Sequence, residues 1–414
     1  MEYKQRRNNN NNNNVCSLVL RAILCFILVS FSTASTAVPQ RNDPHDNSSD
    51  EAILSEVITW LEAKGSWISP KIEIKQLQQG LSTILANAPL RKGEVVADIP
   101  WHAILAASTS EDSDWCDQVQ EVRRAISKAP QQQTPYERYL AKRSRDHIPL
   151  FWSDQSKTLL SELMEGFVTK QFLSNVEELW KEECGMPIDD KLLDAMMLLQ
   201  TRGEGELIDL LVPFGDLLNH RNGKYTNVDP VIDKGKKYQI VAIRDVQAGE
   251  ELQNSYNKCK WCHGLYANAE NPSQYYVTPQ LFEIYGFIEA WPQRWILPEA
   301  RLFFDIEEGE KEQNLQVKFV APPSPYGLDF LEERLEELKA FQRKLLHIDT
   351  DIPQPERNGL SQLHEAVTRA FKLAHEQAYG QVSNEVWRMG RYWHRDETYQ
   401  QRYHDNYDRD SDEL

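Results

Sequence analysis

The sequence lacks any run of Lys and Arg long enough to make a basic stripe: 46 such residues are scattered among 63 Asp and Glu, for a formal net charge of −17. Tracking of a phosphate backbone is thereby excluded, and no nucleic-acid partner is expected. Also missing is a comfortable membrane span of about 20 apolar residues. The stretch from Val15 to Phe31 is short and is broken by Arg21. Cysteine is scarce, six in 414 residues, and only Cys116, Cys184, Cys259 and Cys262 lie beyond residue 37. Four widely spread cysteines are not a disulfide scaffold, although an oxidising compartment allows some to pair. Internal repeats are absent as well.

What is present argues for a folded protein. The chain is 41% hydrophobic, with 11 Trp, 16 Tyr and 14 Phe, and is long enough for two or three domains. Its acidic balance is compatible with a basic protein substrate and equally serves solubility.

Both ends carry addresses. Lys4, Arg6 and Arg7, the asparagine run Asn8 to Asn14, the apolar stretch to Phe31 and the small residues Ala34 to Ala37 have the layout of a signal peptide over 1–37. An uncleaved signal that anchors the protein is the alternative; after cleavage no stable membrane span is expected. Residues 391–414 are a charged tail ending Ser411-Asp412-Glu413-Leu414, close to the retrieval signal of soluble proteins of the endoplasmic reticulum. Together they lead us to expect residence in the lumen of the endoplasmic reticulum. Asn47-Ser48-Ser49 is a glycosylation sequon within a polar linker, 38–50.

Beyond the linker, Ile53, Leu54, Val57, Ile58 and Leu61 follow helical spacing after caps at Ser49 or Asp50, with an end near Gly65. Short strands are expected in Lys71 to Ile74 and after the turn Arg91-Lys92-Gly93-Glu94. A largely helical insertion runs from about 111 to 202. Strand signals return in Tyr238 to Ile243 and around Ala248-Gly249-Glu250, and leucines recur at helical spacing from Leu328 to Leu345.

Three strings carry a resemblance. Leu211 to His220 reads LVPFGDLLNH, Gly249-Glu250-Glu251-Leu252 leads to Asn254-Ser255-Tyr256-Asn257, and Ile284-Tyr285-Gly286-Phe287 follows. Pro135-Tyr136, Phe151-Trp152-Ser153 and Thr201-Arg202 agree more weakly upstream. In order and spacing this resembles the SET-domain protein methyltransferases of the Rubisco large-subunit lysine methyltransferase type, from about residue 52 to 297.

The resemblance implies an α+β fold: a SET domain over 51–297 with small twisted β-sheets, a threaded C-terminal segment and a long helical insertion, then a C-terminal helical region over 298–390. It implies methyl transfer from S-adenosyl-L-methionine to a side-chain nitrogen of a protein substrate, most readily lysine, with histidine as another acceptor. Tyr256 would be the catalytic residue, orienting an acceptor amine that must arrive uncharged at a cost of roughly 4–5 kcal/mol at pH 7. Asn219 and His220 would bind the cofactor, or else cap a turn and fill the core. Asp216 would bind cofactor or hold the loop, and Arg202 would face the cofactor carboxylate or form an ion pair. Tyr285 and Phe287 would form channel or cofactor walls, or pack as core. No metal ligand set is expected, and the oligomeric state is not legible.

The chain departs from the family in two places. Where a Gly-x-Gly is usual, Gln79-Gly80-Leu81-Ser82 retains one glycine, Gly80, for close approach to the cofactor. An insertion after Tyr256 contains Cys259-Lys260-Trp261-Cys262-His263, read as a local disulfide or two surface thiols in preference to a haem or zinc site. A SET-fold binding module without catalysis and a thiol-redox protein are the rival readings.

Overall fold

The computed structural model describes residues 47–76, 82–105, 115–167, 180–182, 184–185, 188–204, 210–256, 277–309, 314–347 and 352–389. The signal segment, Gly80, Asn257, the Cys259–Cys262 pair and the tail from 391 lie outside the described residues.

Helix α1, Asn47–Ala63, starts inside the stretch expected to be linker, because its polar first turn is continuous with the apolar stripe. Leu54, Val57 and Leu61, spaced by three and four, are all buried. Strands β1 (Trp67–Ile68), β2 (Ile72–Gln76), β3 (Ser82–Ala86) and β4 (Val95–Pro100) follow.

The insertion is helical as expected: α2 (Trp115–Ser127), α3 (Pro135–Ala141), α4 (Asp154–Leu163) and α5 (Asp190–Arg202). Helix α3 starts on a capping box in which the Thr134 side chain accepts from the Glu137 N–H and Glu137 accepts from the Thr134 N–H. Cys116 and Cys184 form a disulfide with a Cα–Cα distance of 5.7 Å. This bridge joins residues 68 apart in sequence, and the expected local disulfide or thiol pair at Cys259 and Cys262 lies outside the described residues. Closing a loop of that length restricts the unfolded chain, so reduction or Cys116→Ser is expected to cost about 2–4 kcal/mol. Equilibrium denaturation with and without reductant measures this.

Next come β5 (Gly203–Glu204), β6 (Leu210–Leu211), β7 (Asn219–His220), β8 (Val228–Asp233), β9 (Lys237–Ala242) and β10 (Gln253–Asn254). The largest sheet is antiparallel with order β1-β4-β9-β8. Tyr238, Ile240 and Ala242 alternate into the core along β9, the two-residue period of a half-buried strand. One small pair, β7 with β10, is parallel and sets His220 against Asn254.

Helix α6 (Thr278–Tyr285) precedes a three-stranded antiparallel sheet of β11 (Gln293–Leu297), β12 (Leu302–Glu308) and β13 (Leu315–Phe319), then α7 (Pro325–His347) and α8 (Gln354–Met389). The two helices fit the expected C-terminal region. The sheet does not, and the boundary at 297 cuts through it. Its strands were hidden by charge: Asp305 interrupts the apolar run of β12, and only cross-strand register brings the Arg294 guanidinium to it at 2.9 Å. Two apolar cores result, one over the sheets, α1, α2, α3 and α5, the other joining α4, the β11–β13 sheet, α7 and α8. Among the described residues no helix is long and apolar enough to cross a membrane.

Candidate active site

The loop 212–218 is buried throughout and turns sharply at Phe214, whose φ of +75° is uncommon for a side-chain-bearing residue. A short 3-10 turn, Gly215–Leu217, then delivers Asn219 and His220 to β7. Parallel pairing with β10 brings Ser255-Tyr256 alongside them.

His220 is fully buried, and both its ring nitrogens are engaged. The Tyr256 backbone N–H donates to Nδ1 at 2.9 Å, so the ring proton sits on Nε2, which donates to Glu289 at 3.1 Å. Glu289 also accepts from Asn222 at 2.7 Å and from the Thr278 hydroxyl at 2.5 Å. The Ser255 hydroxyl donates to Asn222 Oδ1 at 2.8 Å. Every partner in this chain is buried, and a satisfied buried network holds a single geometry. Its effect is to fix the backbone that carries Tyr256.

Asn219 donates from Nδ2 to the Ser82 carbonyl at 3.0 Å and to Glu251 at 2.6 Å, and the Thr83 hydroxyl donates to the same Glu251 oxygen at 2.6 Å. Its amide nitrogen thus ties β7 to β3.

Tyr256 is buried, and its hydroxyl donates to the Leu218 carbonyl at 3.3 Å. Burial, with the Tyr285 phenol next in effect, pushes its pKa well above the ordinary tyrosine value, so it acts as a neutral phenol. Three rings surround it, with centroids at 4.5 Å for His220, 5.4 Å for Tyr285 and 6.0 Å for Phe287. The Tyr-Gly-Phe string has a steric reason. Helix α6 ends at Gly286 with φ +73°, where a Cβ would sit 2.0 Å from the His147 carbonyl oxygen. Only glycine lets Tyr285 and Phe287 turn toward Tyr256 from either side.

Behind this lies a buried polar cluster. Arg202, at the end of α5, reaches Asp216 and the Tyr139 hydroxyl at 3.4 and 3.3 Å, and the Tyr136 hydroxyl donates to Asp216 at 3.2 Å. Burial raises the Asp216 pKa and Arg202 opposes that shift. Arg202 and Asp216 therefore hold each other and the loop before Asn219.

Glu204, in β5, is 2% exposed, and neither of its carboxylate oxygens has a hydrogen-bond partner among the described residues. Burial, then Asp216 and Asp229, pushes its pKa up to about 8. The folded chain therefore holds this proton more tightly than the unfolded chain, whose value is near 4.5. Stability that is present below pH 4.5 is lost as the pH rises through 8. Glu204→Gln, a mimic of the protonated form, is expected to match the parent near pH 5 and exceed it near pH 9, by on the order of a few kcal/mol. Denaturant titrations of both proteins across that range provide the check; a constant difference contradicts it.

Asn219, His220, Tyr256, Tyr285 and Phe287 are thus brought together, with Arg202 and Asp216 adjoining, and Gly80 lies outside the described residues. Residues 82–257 match the family model of the SET domain. The chain contains a SET domain. The SET-domain match ends within the Tyr256-Asn257 step, so Tyr285, Phe287 and Glu289 complete the aromatic and polar surroundings from outside it. No curated protein matches the chain. Among solved structures it is similar to the SET domain of LSMT bound to lysine and AdoHcy, at 15% identity and a TM-score of 0.46, over 81% of this chain and 93% of that one. It is also similar to Rubisco LSMT bound to AdoMet, at 15% identity and a TM-score of 0.44, over 79% of this chain and 93% of that one. A further likeness is to Rubisco LSMT bound to sinefungin and monomethyllysine, at 16% and 0.44, over the same shares.

Sequence reasoning missed Glu289, Asn222, Glu251 and Glu204 as site residues. Glu289 did leave a signal, a lone acid directly after the apolar string Tyr285 to Ile288. A charge in such a run is tolerated when it is paired inside.

Proposed function

We propose that the protein is an S-adenosyl-L-methionine-dependent protein methyltransferase whose acceptor is a lysine side chain. The observation that carries this reading is the neutral Tyr256 hydroxyl, set among three rings and fixed through its own backbone N–H by His220 and Glu289, within a SET domain.

The residues fit such a cofactor. Asn219 uses only its amide nitrogen internally and keeps Oδ1 for an adenine amino group; Tyr256, Tyr285 and Phe287 offer ring faces to a cation. When bound, S-adenosylmethionine supplies a methyl group activated as a sulfonium. The work left to the chain is alignment and exclusion of water. The buried aromatic set disfavours a second cation beside the first and lowers the cost of a neutral acceptor amine. The Tyr256 hydroxyl orients that amine. His220 holds the tyrosine backbone, and Arg202 with Asp216 holds the loop that ends in Asn219.

The signal-like segment 1–37 and the Ser411–Leu414 ending support residence in the endoplasmic reticulum lumen, an oxidising compartment in which the Cys116–Cys184 bridge persists. Protease protection of the full chain in microsomes tests that location.

For the activity, S-adenosylmethionine at 100 times its dissociation constant is expected to add about 2.7 kcal/mol of stability. Mass spectrometry of a luminal extract treated with purified protein and labelled cofactor is expected to show methyl-lysine. Label on histidine would reassign the acceptor; stabilisation without transfer would leave a binding module; neither effect would end the transferase reading.

A further inference from the structure

Glu204 is the group that the mechanism above does not use. It follows Arg202 and Gly203 directly, so β5 leaves α5 at the edge of the site. Its carboxylate lies over the Gly215 backbone: a Cβ there would sit 3.1 Å from Oε1, and the absence of a side chain makes room for the acid. Its charge is felt by Tyr256. The charged groups that act on it are Asp216, from the loop before Asn219, and Asp229, from β8, both acids. Arg202 is committed to Asp216 and Tyr139. A buried carboxyl whose two oxygens have no hydrogen-bond partner among the described residues, and whose charged neighbours are acids, is costly to the fold. Such a group suits a site whose ligand brings positive charge.

We propose that Glu204 recognises the methyl acceptor, receiving a side-chain alkylammonium between its carboxylate and Tyr256 and taking the proton that the nitrogen must lose. This rests on the transferase reading for its chemistry, though the cation site itself does not. On entry of the ammonium, Glu204 releases its own proton to solvent and the ion pair forms. One N–H proton then passes to the carboxylate, freeing the nitrogen lone pair. That pair makes the new N–C bond while the electrons of the broken C–S bond stay on sulfur, so the positive charge ends on the methylated nitrogen and Glu204 is neutral again.

Calorimetric titration of the full chain with butylammonium chloride at pH 7, in two buffers of different ionisation enthalpy, tests this. Binding with release of about one proton is expected for the parent protein. Glu204→Gln is expected to bind the same probe at least roughly tenfold more weakly while keeping its affinity for S-adenosylhomocysteine. Equal affinity in both proteins, or binding without proton release, overturns the proposal; the second criterion needs only the parent. Butylammonium binding without S-adenosylhomocysteine binding would sink the transferase reading and leave the cation site standing. The reverse pattern would sink the role of Glu204 alone.

Discussion

Tyr256→Phe is expected to bind S-adenosylhomocysteine as the parent does and to lose methyl transfer by on the order of a hundredfold or more, about 2.7 kcal/mol in the barrier. The substitution keeps the ring, so the contacts to His220, Tyr285 and Phe287 survive. Its backbone N–H to His220 Nδ1 is untouched. What goes is one hydroxyl, whose bond to the Leu218 carbonyl at 3.3 Å contributes about 1 kcal/mol to stability. A small stability change beside a large kinetic one would separate orientation of the acceptor from support of the fold. Single-turnover transfer of a labelled methyl group, set against calorimetric cofactor affinity, measures both. Full turnover in the phenylalanine variant would remove Tyr256 from the reaction.

Glu289→Ala is expected to be the most destabilising substitution in the site, costing on the order of 3–5 kcal/mol. The carboxylate receives donors from His220, Asn222 and Thr278, all buried, and its loss strands the three together. Glu289→Gln is expected to cost less, because one amide oxygen can still accept while its NH2 faces a donor. Both variants should also disturb turnover, since His220 without its acceptor no longer holds one tautomer against the Tyr256 N–H. Thermal unfolding ranks the two. If the alanine variant proved as stable as the parent, the relay would have no structural role.

The unequal legibility of the site has a physical basis. Tyr256, Asn219 and His220 could be read because they stand in short strings whose order is preserved along the chain. The use of His220 could not, since a histidine in a string says nothing of which nitrogen accepts; that followed from the parallel register of β7 with β10. Likewise Asp216 was legible as a residue and open as a role until Arg202 and Tyr136, the latter 80 residues upstream, closed on it. The β11–β13 sheet was missed for the same reason, since the pairing of Arg294 with Asp305 exists only through cross-strand register.

The sequence by itself determined the local elements: the stripe of α1, the capped start of α3, the alternation of β9, and the glycine that ends α6 beneath Tyr285 and Phe287. These depend on side-chain period and backbone freedom within a few residues. Only the tertiary structure decided which charges are paired and which stand bare, because the cost of burying Glu289 and Glu204 depends on what faces them from other elements. One of those acids is fully bonded and holds the site together. The other has no hydrogen-bond partner among the described residues.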